Sequence, residues 1–123
     1  MNDTNADARI QKLVDMFARA VIEQTEAMKR IDTRTGNRWA RRGHRTFEEL
    51  RQFGDRGRES LTQLFSHERA DVRVMAACYL LRYRTKESLR VLRTESRGQG
   101  SIAFGASEAL LRWNEGAWSL DPE

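Results

Sequence analysis

Hydrophobic residues recur every three or four positions along most of this chain, which is the spacing typical of amphipathic helices. The most regular stretch predicts a helix over residues 7–31 with one apolar stripe, formed by Ile10, Leu13, Val14, Phe17, Val21, Met28 and Ile31. The single proline, Pro122, stands near the C-terminus. Proline is the strongest helix breaker, so residues 1–121 contain no residue of this kind that would interrupt a helix. The pattern predicts an all-α protein.

Residues 35–53 have fewer apolar positions, and these still lie on one helical face: Trp39, Phe47, Leu50 and Phe53. A single helix fits if Gly43 lets a neighbouring element approach closely. Thr46 and Glu49, however, form a capping-box pattern that would start a new helix at Phe47. Both possibilities stay open for residues 33–53, one helix or two. A turn follows in either case, marked by Gly54 and Gly57.

After this turn the sequence repeats itself. Residues 58–64 return as residues 86–92, and residues 71–83 return as residues 101–113 with four identities in thirteen positions. Each copy predicts a helical hairpin: residues 58–65 with 71–83, then residues 86–96 with 101–114. Repeated hairpins are typical of solenoid proteins, in which each unit buries its apolar face only by stacking on a neighbour.

The second helix of each hairpin carries small residues followed by a pair of leucines. We expect the small residues to allow close helix approach and the leucines to fill the space beyond: Ala76, Ala77, Leu80 and Leu81, then Ala106, Ser107, Leu110 and Leu111. The predicted organisation is a single domain over residues 1–123. It consists of N-terminal capping helices (1–57), two hairpins (58–83 and 86–114) and a C-terminal tail (115–123).

A series of short motifs follows the same order along most of the chain. They are residues 13–17, Gln24 with 27–28, 32–33 with 37–38, 49–50, Arg58, Leu61, Leu64, His67, 72–73 with 76–77, and 113–116. The part around Asp71 and Arg73 resembles a HEAT or armadillo-type repeat, in which these two residues tie adjacent turns together. The whole set resembles an uncharacterised bacterial family of short HEAT-like helical proteins, catalogued as a domain of unknown function. The resemblance implies an α-α superhelix and no established activity.

The distribution of charge adds a candidate binding site. The formal net charge is +4, and 19 of the 22 basic residues are arginine. Between residues 34 and 45 there are five arginines and no acidic residue, with Trp39 among them: Arg34, Arg38, Arg41, Arg42 and Arg45. Such a density attracts anionic partners.

This segment allows two interpretations. In the functional one, the arginines and Trp39 grip an acidic protein surface or, as the less favoured partner, a nucleic-acid backbone, with the indole as a buried anchor. In the structural one, the arginines form a solvated face and pair with Glu48, Glu49 and acidic residues of the first helix, while Trp39 fills the core.

No group of residues predicts a reaction. Cys78 with His67 or His44 could suggest a nucleophile and a base, but Cys78 falls within a predicted helix, where it is expected to pack as a small residue. His67 falls in a turn, where a structural hydrogen bond to a backbone carbonyl is expected. One cysteine and two histidines are too few for a structural zinc site. The sequence therefore predicts no metal.

The remaining enzymatic patterns are incomplete. Glu48 and Glu49 are the only adjacent acidic pair, and a position near a helix start explains them without acid–base chemistry. Residues 98–100 lack the additional glycine and the lysine of a phosphate-binding loop. A HEAT-like base-excision enzyme would need a catalytic acid beside a base-stacking aromatic residue, and no such pair is evident. We expect no enzymatic activity and no cofactor.

The expected function is a protein–protein interaction module, in one version an immunity-type protein that neutralises a partner toxin. Nucleic-acid binding through residues 34–45 is the alternative. No run approaches the roughly 18 apolar residues of a membrane span, so we expect a cytoplasmic protein without a membrane partner. A homo-oligomer is possible. Trp118, just after the expected C-cap residue Gly116, is expected to fold back on the last helix.

Overall fold

The computed structural model describes residues 2–118 and residue 120, with side chains from residue 4 onward. This part of the chain contains six α-helices, one 3₁₀ helix and no strand. The elements are α1 (Asn2–Lys29), α2 (Thr33–Arg51), α3 (Asp55–Leu61), the 3₁₀ helix (Thr62–Ser66), α4 (Ala70–Tyr79), α5 (Thr85–Ser96) and α6 (Ser101–Asn114). The prediction of an all-α protein is confirmed.

Helix boundaries agree best with the sequence pattern in the second half of the chain. The helices predicted over residues 86–96 and 101–114 correspond to α5 and α6. The prediction of one continuous helix over residues 58–65 is wrong, because α3 ends at Leu61 and a 3₁₀ helix follows it. Helix α4 ends at Tyr79 instead of residue 83, since Leu80 has left the helical conformation with φ −102° and ψ 10°.

The chain divides into two compact units, one reaching to Leu61 and the other beginning at Thr62. The first unit contains α1, α2 and α3, and the second contains the 3₁₀ helix, α4, α5 and α6. The division falls inside the segment predicted as the first helix of the first hairpin. The single domain with its capping segment over residues 1–57 stays a prediction.

In the first unit, α1 and α2 form an antiparallel pair, and α3 packs against both. Two glycines of α2 mark the register. A Cβ atom on Gly36 would lie 3.8 Å from Cβ of Ala27, and a Cβ atom on Gly43 would lie 3.5 Å from Cβ of Ala20. The step of seven residues from Ala20 to Ala27 on α1 therefore corresponds to the step of seven residues from Gly43 back to Gly36 on α2. Seven residues are about two turns of a helix.

Thr33–Arg51 form one continuous helix because the two glycines that disfavour a helix there are buried against its neighbours. Gly36 and Gly43 are both buried, and the packing at these sites offsets the roughly 1 kcal/mol that glycine costs in a helix interior. The expected capping box does not form. Thr46 Oγ1 instead donates to the carbonyl oxygen of Arg42 at 2.8 Å, a bond that a hydroxyl can make inside a helix.

The apolar stripe of α1 is correct for five of its seven predicted members: Ile10, Leu13, Val14, Phe17 and Val21 are buried. Met28 and Ile31 are 49% and 87% exposed, so these two members of the predicted stripe are not buried. For Ile31 the reason is that α1 ends at Lys29. Ile31 lies in the turn beyond it with φ 58°, and its side chain has left the stripe.

The core of the second unit combines α4, α5, α6 and the turn after α4. Helix α5 packs against α4 and α6, α4 also contacts α6, and the 3₁₀ helix packs against α4. One buried cluster joins these elements: Val74, Ala77, Cys78, Leu81, Leu92, Ala106 and Ala109. Ala76, Ala77 and Ala106 are buried, as expected for small residues between helices.

The two copies of the repeat differ at their outer positions. Leu80 and Leu81 are fully buried, whereas Leu111 is 52% exposed. Ser107 is also exposed, although its equivalent Ala77 is buried. The expectation that Ser107 and Leu111 pack inside the stack is wrong, since no helix in the described part of the chain covers that side of α6.

Candidate functional site

The start of α2 is held by Asp32, whose Oδ1 accepts a hydrogen bond from the backbone N–H of Thr35 at 3.1 Å. The hydrogen bonds from the Thr35 side chain and backbone lower the pKa of Asp32, and the positive charges of Arg30 and Arg38 lower it further. An ionised carboxylate is a favoured N-cap because it satisfies an otherwise unpaired N–H. This cap fixes the helix that carries the arginines.

The five arginines lie on the side of α2 that is turned away from its buried residues. Because a helix has 3.6 residues per turn, four of them form one row and Arg42 lies beside it. Gly36, Gly43, Phe47 and Leu50 are buried on the opposite side. The row extends about 16 Å at 1.5 Å per residue. We call the five exposed side chains the α2 arginine face: Arg34, Arg38, Arg41, Arg42 and Arg45.

The α2 arginine face has no ion pair within the described part of the chain. The acidic residues expected to neutralise it pair elsewhere. Oε1 of Glu49 lies 3.2 Å from Nη2 of Arg9, and Oε2 of Glu48 lies 3.6 Å from Nε2 of His44. The structural interpretation is therefore right about solvent exposure and wrong about these two partners. The five guanidinium groups form no ion pair with a described residue, although the charge of Arg38 acts on the carboxylate of Asp32.

Trp39 is half-buried beside the α2 arginine face. The guanidinium of Arg19 lies over its ring, with Cζ 5.5 Å from the ring centroid. This is a cation–π contact between α1 and α2. The expectation that Trp39 fills the core is wrong, because one side of the indole is covered by an exposed arginine instead of by core residues.

A shallow depression of about 370 Å³ lies on the α2 arginine face, lined by Ala40, Arg41, His44 and Arg45. The two arginines stand at its edge, and their aliphatic stems contribute apolar surface. The arrangement suits a side chain that enters the depression while carboxylates on either side meet the guanidinium groups.

A second basic row, on α5 and its C-cap, has the same spacing of four, three and four residues as the row of α2. Its members are all exposed and have no ion pair within the described residues; we call them the α5 basic row: Lys86, Arg90, Arg93 and Arg97. A count of net charge misses this row because Glu87 and Glu95 lie in the same segment. Helical periodicity of the basic positions is the signal that identifies it.

Cys78 is buried in the core of the second unit. Burial raises the pKa of its thiol to about 12, because a thiolate would lose its hydration there. A thiol nucleophile requires the opposite shift and access to a substrate. The position matches the expectation of a small packing residue.

His67 lies between the 3₁₀ helix and α4, and its ring makes a hydrogen bond within the turn. Nδ1 accepts from the backbone N–H of Arg69 at 3.0 Å. His67 therefore makes a structural hydrogen bond, but not the expected one, because the imidazole accepts from an N–H instead of bonding a carbonyl. Nη1 of Arg73 donates to the carbonyl oxygen of His67 at 2.7 Å, which fixes the same turn.

Trp118 folds back on the second unit, as the sequence predicts. Gly116 has φ 77°, and Ala117 N–H bonds the carbonyl oxygen of Arg112 at 3.0 Å, which reverses the chain after α6. The Trp118 ring then meets Trp113 edge to face, with centroids 6.4 Å apart. Its Nε1 donates to the carbonyl oxygen of Cys78 at 3.1 Å. The indole therefore has a packing role.

The described residues contain no cluster of three or more His, Cys, Asp or Glu side chains arranged to hold a metal ion. Among the helices of the same residues, none combines the length and the apolar character that crossing a bilayer requires.

Comparison with known proteins shows the fold and no more. No family model matches the sequence. No curated protein matches it either. The structure is similar to the crystal structure of the protein RPA1889 from Rhodopseudomonas palustris CGA009, with a TM-score of 0.83 and 23% sequence identity. The match covers 89% of this chain and 92% of that one.

Proposed function

We propose that this protein is a non-enzymatic interaction module that binds an acidic protein surface through the α2 arginine face. The observation that carries the proposal is the exposure of five arginines on one side of α2, none of which forms an ion pair with a described residue. The planar guanidinium group pairs with carboxylates through two parallel hydrogen bonds. An acidic partner would supply the carboxylates that this surface lacks.

The architecture that we propose for the module is a HEAT or armadillo-like superhelix. The contacts of α4 with α6, and of α5 with both, support stacking of the two repeated segments. Stacked hairpins provide extended surfaces for protein recognition. The resemblance to the bacterial family of short HEAT-like proteins is part of the same proposal, as is a cytoplasmic location.

The depression beside Ala40 favours a protein partner over a nucleic acid that would bind through charge alone. A nucleic-acid backbone needs only the arginines, whereas a depression of about 370 Å³ can also take an apolar side chain. In one version of the proposal the partner is a toxin, and this chain neutralises it as an immunity-type protein. That version requires a stoichiometric complex in which the toxin is inactive.

The α5 basic row provides a matched control for the experiment. One variant replaces Arg34, Arg38, Arg41 and Arg45 with glutamine, and the other replaces Lys86, Arg90, Arg93 and Arg97 with glutamine. Each removes four positive charges with the same spacing. We expect a stoichiometric partner recovered from the native host to be lost with the α2 variant and retained with the α5 variant. Recovery of that partner with the α2 variant would refute the assignment of this face.

The α5 basic row also favours a second candidate function, nucleic-acid binding. Two exposed rows of bases increase the attraction for a polyanion. In that case both variants should weaken binding to a duplex, and the logarithm of affinity should fall with the logarithm of salt concentration by about 0.9 per neutralised phosphate. Absence of binding to duplex or single-stranded DNA at about 50 mM salt would exclude this candidate.

A further inference from the structure

The depression on the α2 arginine face is a groove between two ridges of a single helix. Its lining residues are Ala40, Arg41, His44 and Arg45, all of which belong to α2. Ala40 and His44 are four residues apart, and so are Arg41 and Arg45, so each pair forms part of one of two neighbouring ridges. Helices pack by placing a ridge of one into such a groove of the other. The shape of the depression therefore suits a side chain of a second helix.

The arginine row passes along one side of this depression. Arg34, Arg38, Arg41 and Arg45 follow one another along the axis of α2 in steps of about 6, 4.5 and 6 Å. A second helix with acidic residues at the same spacing of four, three and four residues reproduces these steps one for one. Side chains on one face of an extended strand lie about 6.6 Å apart, so four of them would drift from the row by about 3 Å.

We infer that the partner presents an α-helix to the α2 arginine face, with four acidic residues in one row and an apolar residue beside that row. The inference rests on the proposed function, in which an acidic protein surface binds this face, and it specifies the structure of that surface. The acidic row pairs with the arginine row, and the apolar side chain enters the depression. Coiled coils divide the two roles in the same way, with apolar residues in the seam and charged residues beside it.

The charges on α2 are complementary to such a helix. None of the five arginines forms an ion pair with a described residue. The nearby carboxylates are directed elsewhere, because Glu48 lies 3.6 Å from His44 and Glu49 lies 3.2 Å from Arg9. Carboxylates of the partner would meet the planar guanidinium groups in the bidentate geometry that arginine favours. A basic helix would instead place like charges together, which is unfavourable.

The position of the depression relative to the row fixes where the apolar residue lies on the partner. The four lining residues centre on a level between Arg42 and Gly43, eight to nine residues after Arg34. In a helix that runs antiparallel to α2, this level is reached three residues after the first acidic residue; in a parallel helix, it is reached eight residues after. Each of these positions lies about 70° to the side of the acidic row, on the side that faces the depression.

Two helical peptides of identical composition test the inference with the full chain. In the patterned peptide, four glutamates are spaced four, three and four residues apart, and leucines stand three and eight residues after the first glutamate. In the control peptide, the same residues are distributed evenly around the helix. Side-chain crosslinks hold both peptides in the helical conformation, which circular dichroism checks. We expect the patterned peptide to bind at least tenfold more tightly in fluorescence anisotropy, with a dissociation constant in the micromolar range.

Variants of the protein and of the peptide locate the contacts. Glutamine in place of both leucines should weaken binding at least threefold, because the depression then receives a polar group. The four-site glutamine variant of α2 should lose the patterned peptide, and that of α5 should retain it, both with the circular dichroism spectrum of the wild type. Equal loss with the two variants, or no effect of the leucines, would overturn the inference.

Failure of the inference is distinguishable from failure of the proposed function. Equal binding of the two peptides would overturn the helical partner, and loss of both peptides with the α2 variant would then leave an acidic surface as the partner. No binding of either peptide would also overturn the inference. The proposed function itself falls only if the α2 variant still recovers the partner from the native host.

Discussion

Arg73 and Glu95 join α4 to α5, with Nε of the arginine 2.8 Å from Oε2 of the glutamate. Their side chains retain 26% and 17% of their exposure. The resemblance to HEAT-type repeats implies that Asp71 and Arg73 tie adjacent turns together. In the structure Arg73 bonds the next helix and the His67 carbonyl, while Asp71 binds Arg69.

A double-mutant cycle measures the contribution of this ion pair. With Arg73→Ala, Glu95→Ala and the double variant, urea unfolding should give a coupling free energy of about 1 kcal/mol or more, because the pair is partly shielded from water. The exposed pair Arg9–Glu49, at 3.2 Å, is the control. Its coupling should stay below about 0.5 kcal/mol. Equal coupling in the two pairs would contradict the role assigned to burial.

Ile31 occupies a position that suits glycine. It follows α1 with φ 58°, where its own N–H bonds the carbonyl oxygen of Met28 and the N–H of Asp32 bonds that of Ala27. This is a Schellman C-cap, in which the left-handed residue is usually glycine. A β-branched residue in that conformation is strained, and the exposed side chain of Ile31 recovers little by packing.

Replacement of Ile31 by glycine should therefore raise the free energy of unfolding by about 0.5 to 1 kcal/mol. The control is Lys29→Gly, two residues earlier in the last turn of α1. There the same new residue should lower stability by about 1 kcal/mol, because the position is helical. Urea titrations of both variants check the prediction. A loss of stability with Ile31→Gly would show that the Ile31 side chain makes contacts that stabilise the folded protein.

Local periodicity was enough to predict the helices, whereas their ends and outer faces depended on non-local contacts. The spacing of apolar residues located α5 and α6 because each carries a complete pattern of its own. The spacing could not decide whether residues 33–53 form one helix. Gly36 and Gly43 disfavour a helix by their own conformational preference, and they favour it only because they allow α2 to pack closely against α1. Ile31 matched the stripe of α1 in spacing, but a C-cap beyond Lys29 removed it from the helix.

The candidate site shows the same limit. The density of arginines in residues 34–45 was visible in the sequence, and exposure on one face followed from their spacing. Their lack of carboxylate partners was not predictable, because Glu48 and Glu49 could equally have paired with them. The α5 basic row lies among acidic residues, so only its periodicity reveals it. Leu111 matched Leu81 in the alignment, but its exposure depends on what packs against α6.

Cys78 should resist thiol reagents in the folded protein. Its thiol is buried and its pKa is raised to about 12, so the folded state holds little thiolate at pH 8. We expect Ellman's reagent to react at the rate of unfolding or local opening, and quickly in denaturant. Rapid reaction without denaturant would contradict the buried position.

The same shift predicts a loss of stability at alkaline pH. The unfolded chain releases the Cys78 proton near pH 9, while the folded chain retains it until about pH 12. Between these values the unfolded state binds fewer protons, so the free energy of unfolding falls as pH rises, by up to about 1.4 kcal/mol per pH unit. Cys78→Ala removes this contribution. The difference between wild type and variant should therefore change above pH 9 and stay constant below pH 8.

Two buried glycines of the first unit should respond in opposite ways to the same substitution. A Cβ atom on Gly57 would lie 1.8 Å from the carbonyl oxygen of Leu50, a backbone atom that cannot turn aside. A Cβ atom on Gly43 would meet Cβ of Ala20 at 3.5 Å, which is ordinary van der Waals contact. Gly57→Ala must move α3 away from α2, whereas Gly43→Ala gains helix propensity at no steric cost.

We expect Gly57→Ala to lower the free energy of unfolding by about 3 kcal/mol or more, and Gly43→Ala to raise it by up to about 1 kcal/mol. Thermal and urea unfolding of the two variants, followed by circular dichroism, make the comparison. Both changes add one methyl group to a buried helical position. Their effects on the unfolded chain are therefore the same and cancel when the two variants are compared with each other. Stabilisation by both would mean that α3 lies farther from Leu50 than the structure places it, and destabilisation by both would mean that α1 and α2 pack more tightly at Ala20.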